Sequence, residues 1–282
     1  MRPIKVLVVE DSMVFRELLV QSLGKDPGIQ VVGTAKDPFE ARDAILEYKP
    51  DVMTLDVELP RMSGIEFLRK LIPQYPLPVV VISSLSDKVF DAMNAGAVDF
   101  VAKPSYTDRK QLENFVHNEL LVKIKIASTA KISKIKRKVA QEVQQNFVSK
   151  GKNLIIAIGA STGGTEAICS VMKDYGADLP GIVVVQHMPP GFTEMYAKRL
   201  DNQCRVRVKE AQTGDRVLPG TVLIAPGGDK HMRVVNVGGN YQVEVVAGPK
   251  VNGHCPSVDV LFESVARVAG KDALGIILTG MG

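Results

Sequence analysis

Leu154-Ile155-Ile156-Ala157-Ile158-Gly159-Ala160-Ser161-Thr162-Gly163-Gly164 decides how this chain is read, because a run of strand-forming apolar residues ends in small residues around one hydroxyl. A strand that is apolar at every position, rather than at alternate ones, suits a parallel sheet covered on both faces. The glycines allow a sharp turn, and helical spacing follows over Glu166–Met172, so the stretch predicts a strand–turn–helix unit. Gly159-Ala160-Ser161-Thr162-Gly163 also fits the G-x-S-x-G elbow, which lifts a serine Oγ clear of the strand end. Two readings stand side by side for Ser161. It is a nucleophile, or it is a hydroxyl that caps a helix or cradles an anion.

Downstream, Gly181-Ile182-Val183-Val184-Val185 reads as the next buried strand. It is stopped at Gln186-His187-Met188-Pro189-Pro190, since proline cannot continue a central strand. His187 therefore also stands just past a strand end, the side on which open α/β sheets collect ligands. A serine and a histidine meeting there would let imidazole take the Oγ proton. Taken alone, His187 reads equally as a hydrogen-bonded loop histidine, like His117, His231 or His254, and no His/Cys spacing resembles a zinc site. The segments Val206–Val208, Thr221–Ala225, Met232–Val237 and Tyr241–Val246 alternate between turn signals and predict short antiparallel strands added to the main sheet. A helix after Pro256-Ser257-Val258-Asp259 presents Val260, Phe262, Val265 and Val268, and Leu274–Leu278 predicts a last buried strand before Gly280-Met281-Gly282. A helix is expected after such a turn, so the sequence reads as a fragment.

Upstream, residues 1–122 alternate five times between apolar strands and helices, beginning with Ile4–Val9 and a helix carrying Val14, Leu18, Leu19 and Leu23. This predicts an N-terminal (βα)5 domain, doubly wound around a parallel sheet, and a second doubly wound α/β domain over 153–282. At the strand ends stand Glu10 and Asp11, then Asp56, Ser83 and Lys103. Three carboxylates converging on one sheet edge repel one another unless a cation joins them, and an all-oxygen set favours a hard ion such as Mg²⁺.

The net charge of +4 is carried between these domains. Residues 1–122 hold 14 Lys/Arg against 18 Asp/Glu, residues 123–152 hold 9 against 1, and residues 153–282 hold 12 against 12. We read 123–152 as a solvated basic linker, although without Gly or Pro before Gly151 part of it could extend the last receiver helix. Three scattered cysteines, Cys169, Cys204 and Cys255, offer neither a disulfide framework nor a C-x-x-C motif. The N-terminus resembles neither a signal peptide nor a membrane span, so a cytoplasmic protein without membrane insertion is expected.

Val8-Val9-Glu10-Asp11-Ser12, Leu55-Asp56-Val57-Glu58-Leu59-Pro60, Ile82-Ser83-Ser84 and Ala102-Lys103-Pro104 resemble the receiver domain of two-component response regulators. The resemblance implies that Asp56 accepts a phosphoryl group from a histidine kinase and that Glu10, Asp11 and Asp56 hold Mg²⁺. It further implies that Ser83 and Lys103 contact the phosphate and that Phe100 is a switching aromatic. The Ser161 and His187 motifs, with Ile224-Ala225-Pro226-Gly227, Pro256-Ser257-Val258-Asp259 and Leu278-Thr279-Gly280-Met281-Gly282, resemble the catalytic domain of chemotaxis protein-glutamate methylesterases.

That second resemblance implies hydrolysis of glutamate methyl esters on methyl-accepting chemoreceptors, with deamidation of receptor glutamines, stimulated by receiver phosphorylation. Ser161 would be the nucleophile and His187 the base. Thr162 would line the site and the backbone at Met281 would help hold the oxyanion. The esterase site would need no cofactor. The family's third triad member, an aspartate, is expected just beyond Gly282, with Asp259 as the in-chain substitute. His254-Cys255 occupies a place where the family more often has basic residues. Three competing outputs carry less of the pattern. A nucleic-acid-binding domain lacks a net positive charge over 153–282, a dinucleotide site lacks the glycine that Ser161 replaces, and an inert docking domain would not need both Ser161 and His187.

Overall fold

A computed structural model describes residues 2–84, 86–104, 113–130 and 154–279. The chain divides into two compact units, Met1–Val139 and Ala140–Gly282. The first holds strands β1 (Ile4–Val9), β2 (Ile29–Ala35), β3 (Val52–Asp56), β4 (Val79–Ser83) and β5 (Asp99–Ala102) in the order β2-β1-β3-β4-β5, every pair parallel. Helices α1 (Met13–Leu23), α2 (Pro38–Tyr48), α3 (Gly64–Leu71) and α4 (Ser86–Asn94) connect them. Each of the first three starts on a side-chain cap, from Ser12, Asp37 and Ser63, whose oxygens accept otherwise orphaned N–H groups. Val6, Val8, Val52, Val80 and Ile82 pack with Phe15, Leu19 and Leu23 of α1, while the alternating residues Leu7, Val9, Met53 and Leu55 are equally buried. Both faces of the sheet are therefore covered, as its unbroken apolar strands require.

The first unit runs past residue 122. A π-helical turn, Val116–Leu120, leads into α5 (Leu121–Ala127), and Ile124 and Ala127 are fully buried in the same core as α1. Lys123 donates to Asp99 Oδ1 at 2.8 Å and to the Phe100 carbonyl at 2.7 Å, with its ammonium 5.2 Å from the Phe100 ring centre. Residues 123–127 thus belong to the helix that closes the first unit, in place of the linker start expected at 123. The basic run 131–152 lies outside the described residues.

In the second unit β6 (Ile155–Ala160), β7 (Gly181–Gln186), β8 (Arg207–Glu210), β9 (Thr221–Ile224) and β12 (Ala273–Ile277) form one parallel sheet in the order β12-β6-β7-β9-β8. The short strands β8 and β9 are therefore parallel members of the main sheet and not antiparallel additions. The strands β10 (Lys230–Val237) and β11 (Asn240–Ala247) are antiparallel and make a separate two-stranded hairpin. Met232, Val234 and Val243 of that hairpin, with Leu261, Val265 and Ala269 of α8 (Val258–Ala269), bury one face of the sheet. Ser264 Oγ ties the two together, accepting from Val234 N at 2.9 Å and donating to Leu261 O at 2.7 Å. Helices α6 (Gly164–Lys173) and α7 (Phe192–Gln203) contribute the buried Ile168, Met172, Tyr196 and Leu200. Among the described residues strand β12 pairs with β6 alone, and Leu274 (47%) and Ile277 (74%) are exposed.

Candidate active site

The elbow forms as the sequence predicts. Strand β6 ends at Ala160, Gly163 adopts φ 76° at the N-cap of α6, and Ser161 stands between them with its carbonyl accepting from Gly164 N at 2.8 Å. Small residues are required here for a packing reason as well as a conformational one. A Cβ on Gly164 would lie 2.0 Å from Gln186 Oε1 and 2.7 Å from the Ala160 Cβ, and one on Gly159 would meet Val258 Cγ1 at 2.4 Å.

His187 follows directly from the end of β7, which pairs in register with β6 through Ala160↔Gln186. Its N–H donates to the Ala160 carbonyl at 3.2 Å, and its ring nitrogen Nδ1 lies 3.2 Å from Ser161 Oγ. The pair can therefore pass the hydroxyl proton to imidazole, which a capping serine would not require. Ser161 N donates to the Thr279 carbonyl at 2.9 Å, and the Thr279 hydroxyl donates to the Thr162 carbonyl, which fastens the elbow to the chain beyond β12. Thr162 is buried behind the elbow. Met281, expected beside the oxyanion, lies outside the described residues. A cavity of about 200 Å³ opens beside Ser161 and His187, walled by Val251, His254, Val258, Ile277 and Thr279 among others. Asp259 also borders it, with its carboxylate engaged by Asn252 Nδ2 at 2.5 Å.

Two neighbours had no role in the sequence reading. Gln186, 3% exposed, donates through Nε2 to both the Ser161 carbonyl (2.9 Å) and the His187 carbonyl (3.3 Å), clipping the two segments together. The His254 ring lies parallel to that of His187, with centres 3.9 Å apart and planes within 7°. Gln186 carried a weak signal, a polar residue closing an otherwise apolar buried strand. The placement of His254 depends on tertiary contacts that no local pattern encodes.

In the first unit the predicted strand-end residues also converge. Lys103 Nζ donates to both oxygens of Glu10 at 2.9 Å and to Asp56 Oδ2 at 2.6 Å, and Asp11 completes an acidic trio with ligand oxygens within 4.8 Å of one another. Burial pushes the Glu10 carboxyl up to about 7, with Asp56 adding to the rise and Lys103 opposing it. Burial alone would lower the Lys103 ammonium, but its bonds to Asp56 and Glu10 outweigh this and raise it. Three acids with oxygen donors, one of them too buried to ionise readily, fit a hard divalent cation. Ser83 is fully buried at the end of β4, its carbonyl accepting from Lys103 N at 2.8 Å, and Phe100 is buried edge-on to Phe90 with ring centres 6.2 Å apart.

Residues 156–282 match the family model described as CheB methylesterase, and residues 6–117 match the response regulator receiver domain. A protein-glutamate methylesterase/protein-glutamine glutaminase 2 of Syntrophomonas wolfei is 58% identical over 282 residues, covering 100% of this chain and 82% of that protein. The enzyme named protein-glutamate methylesterase/protein-glutamine glutaminase in Syntrophotalea carbinolica is 52% identical (100% and 82% covered), and that of Salmonella typhimurium 46% (100% and 81%). With a receiver domain preceding a methylesterase domain, and such identity along its whole length, the chain belongs to the protein-glutamate methylesterase/protein-glutamine glutaminase family.

Proposed function

We propose that this protein hydrolyses glutamate γ-methyl esters on chemoreceptor proteins and deamidates receptor glutamines, under control of phosphorylation at Asp56. The observation that carries the reading is the 3.2 Å approach of His187 Nδ1 to Ser161 Oγ at the ends of adjacent parallel strands. Ser161 Oγ attacks the ester carbonyl carbon while its proton passes to His187. The methoxide leaves with that proton as methanol, and a water molecule, deprotonated by His187, hydrolyses the glutamyl-enzyme. A glutamine side chain enters the same sequence with ammonia as the leaving group. The cavity bordered by Val251, Val258 and Ile277 suits the aliphatic stem of a glutamyl side chain.

In the receiver, Asp56 takes a phosphoryl group from a histidine kinase. Glu10, Asp11 and Asp56 are the residues that would hold Mg²⁺, which when bound neutralises charge on the transferring phosphoryl group. Lys103, already between Glu10 and Asp56, orients the acceptor carboxylate, and Ser83 and Phe100 would respond to a phosphorylated Asp56. The substrate segments are cytoplasmic on this reading. Among the described residues no helix is long and apolar enough to cross a membrane.

The test is methanol release from methylated chemoreceptor. Ser161→Ala is expected to remove it, with a loss on the order of 10⁴-fold or more. Turnover equal to the parent's would refute the nucleophile.

A further inference from the structure

His254 is delivered to the site by a purpose-shaped segment. Val251-Asn252-Gly253-His254 closes a tight turn in which Val251 and His254 exchange both backbone hydrogen bonds at 3.0 Å. Its central residues have φ 50° (Asn252) and φ 82° (Gly253). Asn-Gly is the pair that tolerates positive φ at both positions. The turn is anchored on three sides. Asn252 Nδ2 bonds Asp259 at the start of α8. His231 of β10, 2% exposed, accepts from Ser257 N at 3.1 Å through Nδ1 and meets the Pro249 carbonyl at 2.8 Å through Nε2, gripping the segment before and after His254. An accepting Nδ1 puts the proton on Nε2, so the Pro249 bond is a donation. What this mount presents is one imidazole, laid flat on the ring of His187 at 3.9 Å.

We propose that His254 is a positioning residue for the Ser161–His187 pair: its stacked ring fixes the plane in which His187 Nδ1 meets Ser161 Oγ, and its π face supports the imidazolium formed when the proton moves. The proposal rests on the reading of Ser161 and His187 given above. Geometry supplies the first part, because an imidazole held against a parallel ring has lost the χ2 freedom that would swing Nδ1 away from the hydroxyl. Electrostatics supplies the second. When the Oγ–carbon bond forms and the Oγ proton passes to Nδ1, a full positive charge appears on His187 against a neutral aromatic face, which attracts it. A protonated His254 would repel that charge instead. Burial holds the His254 imidazole below its ordinary range, and the Lys250 ammonium on the same segment pushes it the same way. Asp259, the acid nearest the turn, has its carboxylate engaged by Asn252. The stack is therefore set to contain one charge, and that charge arises on His187.

The test uses the full-length protein, with whatever follows Gly282 included, and a fluorophosphonate probe, which forms an Oγ–P bond with an activated serine and releases fluoride as the Oγ proton passes to His187. The second-order rate of labelling at Ser161 is followed from pH 5 to 9 by mass spectrometry, with thermal melting as the check on folding. His254→Leu keeps the volume without a π face and is expected to label about tenfold more slowly, with the midpoint of its pH profile shifted downward as the imidazolium loses its support. His254→Phe restores a ring and is expected to recover to within about threefold of the parent rate. A leucine variant that labels like the parent overturns the proposal, as does a folded phenylalanine variant as slow as leucine. Failure of the underlying reading looks different. In that case the parent does not label, or Ser161→Ala labels as well as the parent.

Discussion

At the scale of single residues, the esterase site is held by contacts behind the two reacting side chains. Gln186 is the donor that the Ser161 and His187 carbonyls share, and Gln186→Leu, close to it in volume, removes both bonds and leaves the Ser161 carbonyl with Gly164 N alone. We expect a loss of about 1–3 kcal/mol in urea unfolding of the second unit, together with slower methanol release. Glu10 makes a prediction of opposite sign. Its carboxyl is raised from 4.5 to about 7 by burial, so the folded state holds its proton more tightly than the unfolded chain does. Stability of the receiver unit without divalent ions therefore falls as pH rises from about 4.5 to about 7 and then levels off. Melting curves across that window should show the fall, and Glu10→Gln should flatten it. Mg²⁺ at pH 8 should raise the melting temperature of the parent more than that of the variant. The strand-end acids, Lys103 and the Ser161–His187 pair were legible beforehand, because a residue just past a parallel strand has few places to go. His254 was not, since its ring reaches His187 only through a turn gripped by His231 and Asp259.

At the scale of elements, the lesson lies in strands and helices whose sequences resemble something else. Arg207-Val208-Lys209-Glu210 alternates because β8 is an edge strand with one solvated side, and alternation of that kind says nothing about strand direction. Lys123, Lys125 and the basic run after them give the end of the receiver's C-terminal helix the charge of a linker. Its apolar stripe nevertheless crosses that boundary: Val116, Leu120, Ile124 and Ala127 are all buried, at the spacing of one helical face. Ile124→Ala should therefore cost about 2–5 kcal/mol in the receiver's unfolding transition. A linker residue would cost nothing measurable. Calorimetry of the full chain checks this directly.

At the scale of the whole molecule, two units of parallel α/β design each set a candidate reacting residue at the carboxyl end of a central strand, Asp56 as the last residue of β3 and Ser161 just after β6. That correspondence was readable from the repeated strand-to-loop pattern and from motif resemblance together. Regulation is where the units must act jointly. A small-molecule phosphodonor with Mg²⁺ should accelerate methanol release by the parent, and Asp56→Asn should retain the basal rate while losing the acceleration. Stimulation of that variant to the parent level would dismiss Asp56 as the acceptor. The fastening of the elbow to the segment beyond β12 carries a further consequence, for the order of events when the protein is made. The Thr162–Thr279 bond joins residues 117 positions apart, and Ser161 N–H shares the same late partner. Contacts of such span form after local ones, since a long loop must close before they bring any gain. Strands β6 and β7 can pair while the chain is still emerging from the ribosome, but the serine turn gains this wall only after residue 279 has been synthesised. The serine turn is thus completed late, and a chain made only as far as β7 carries a serine not yet locked in place.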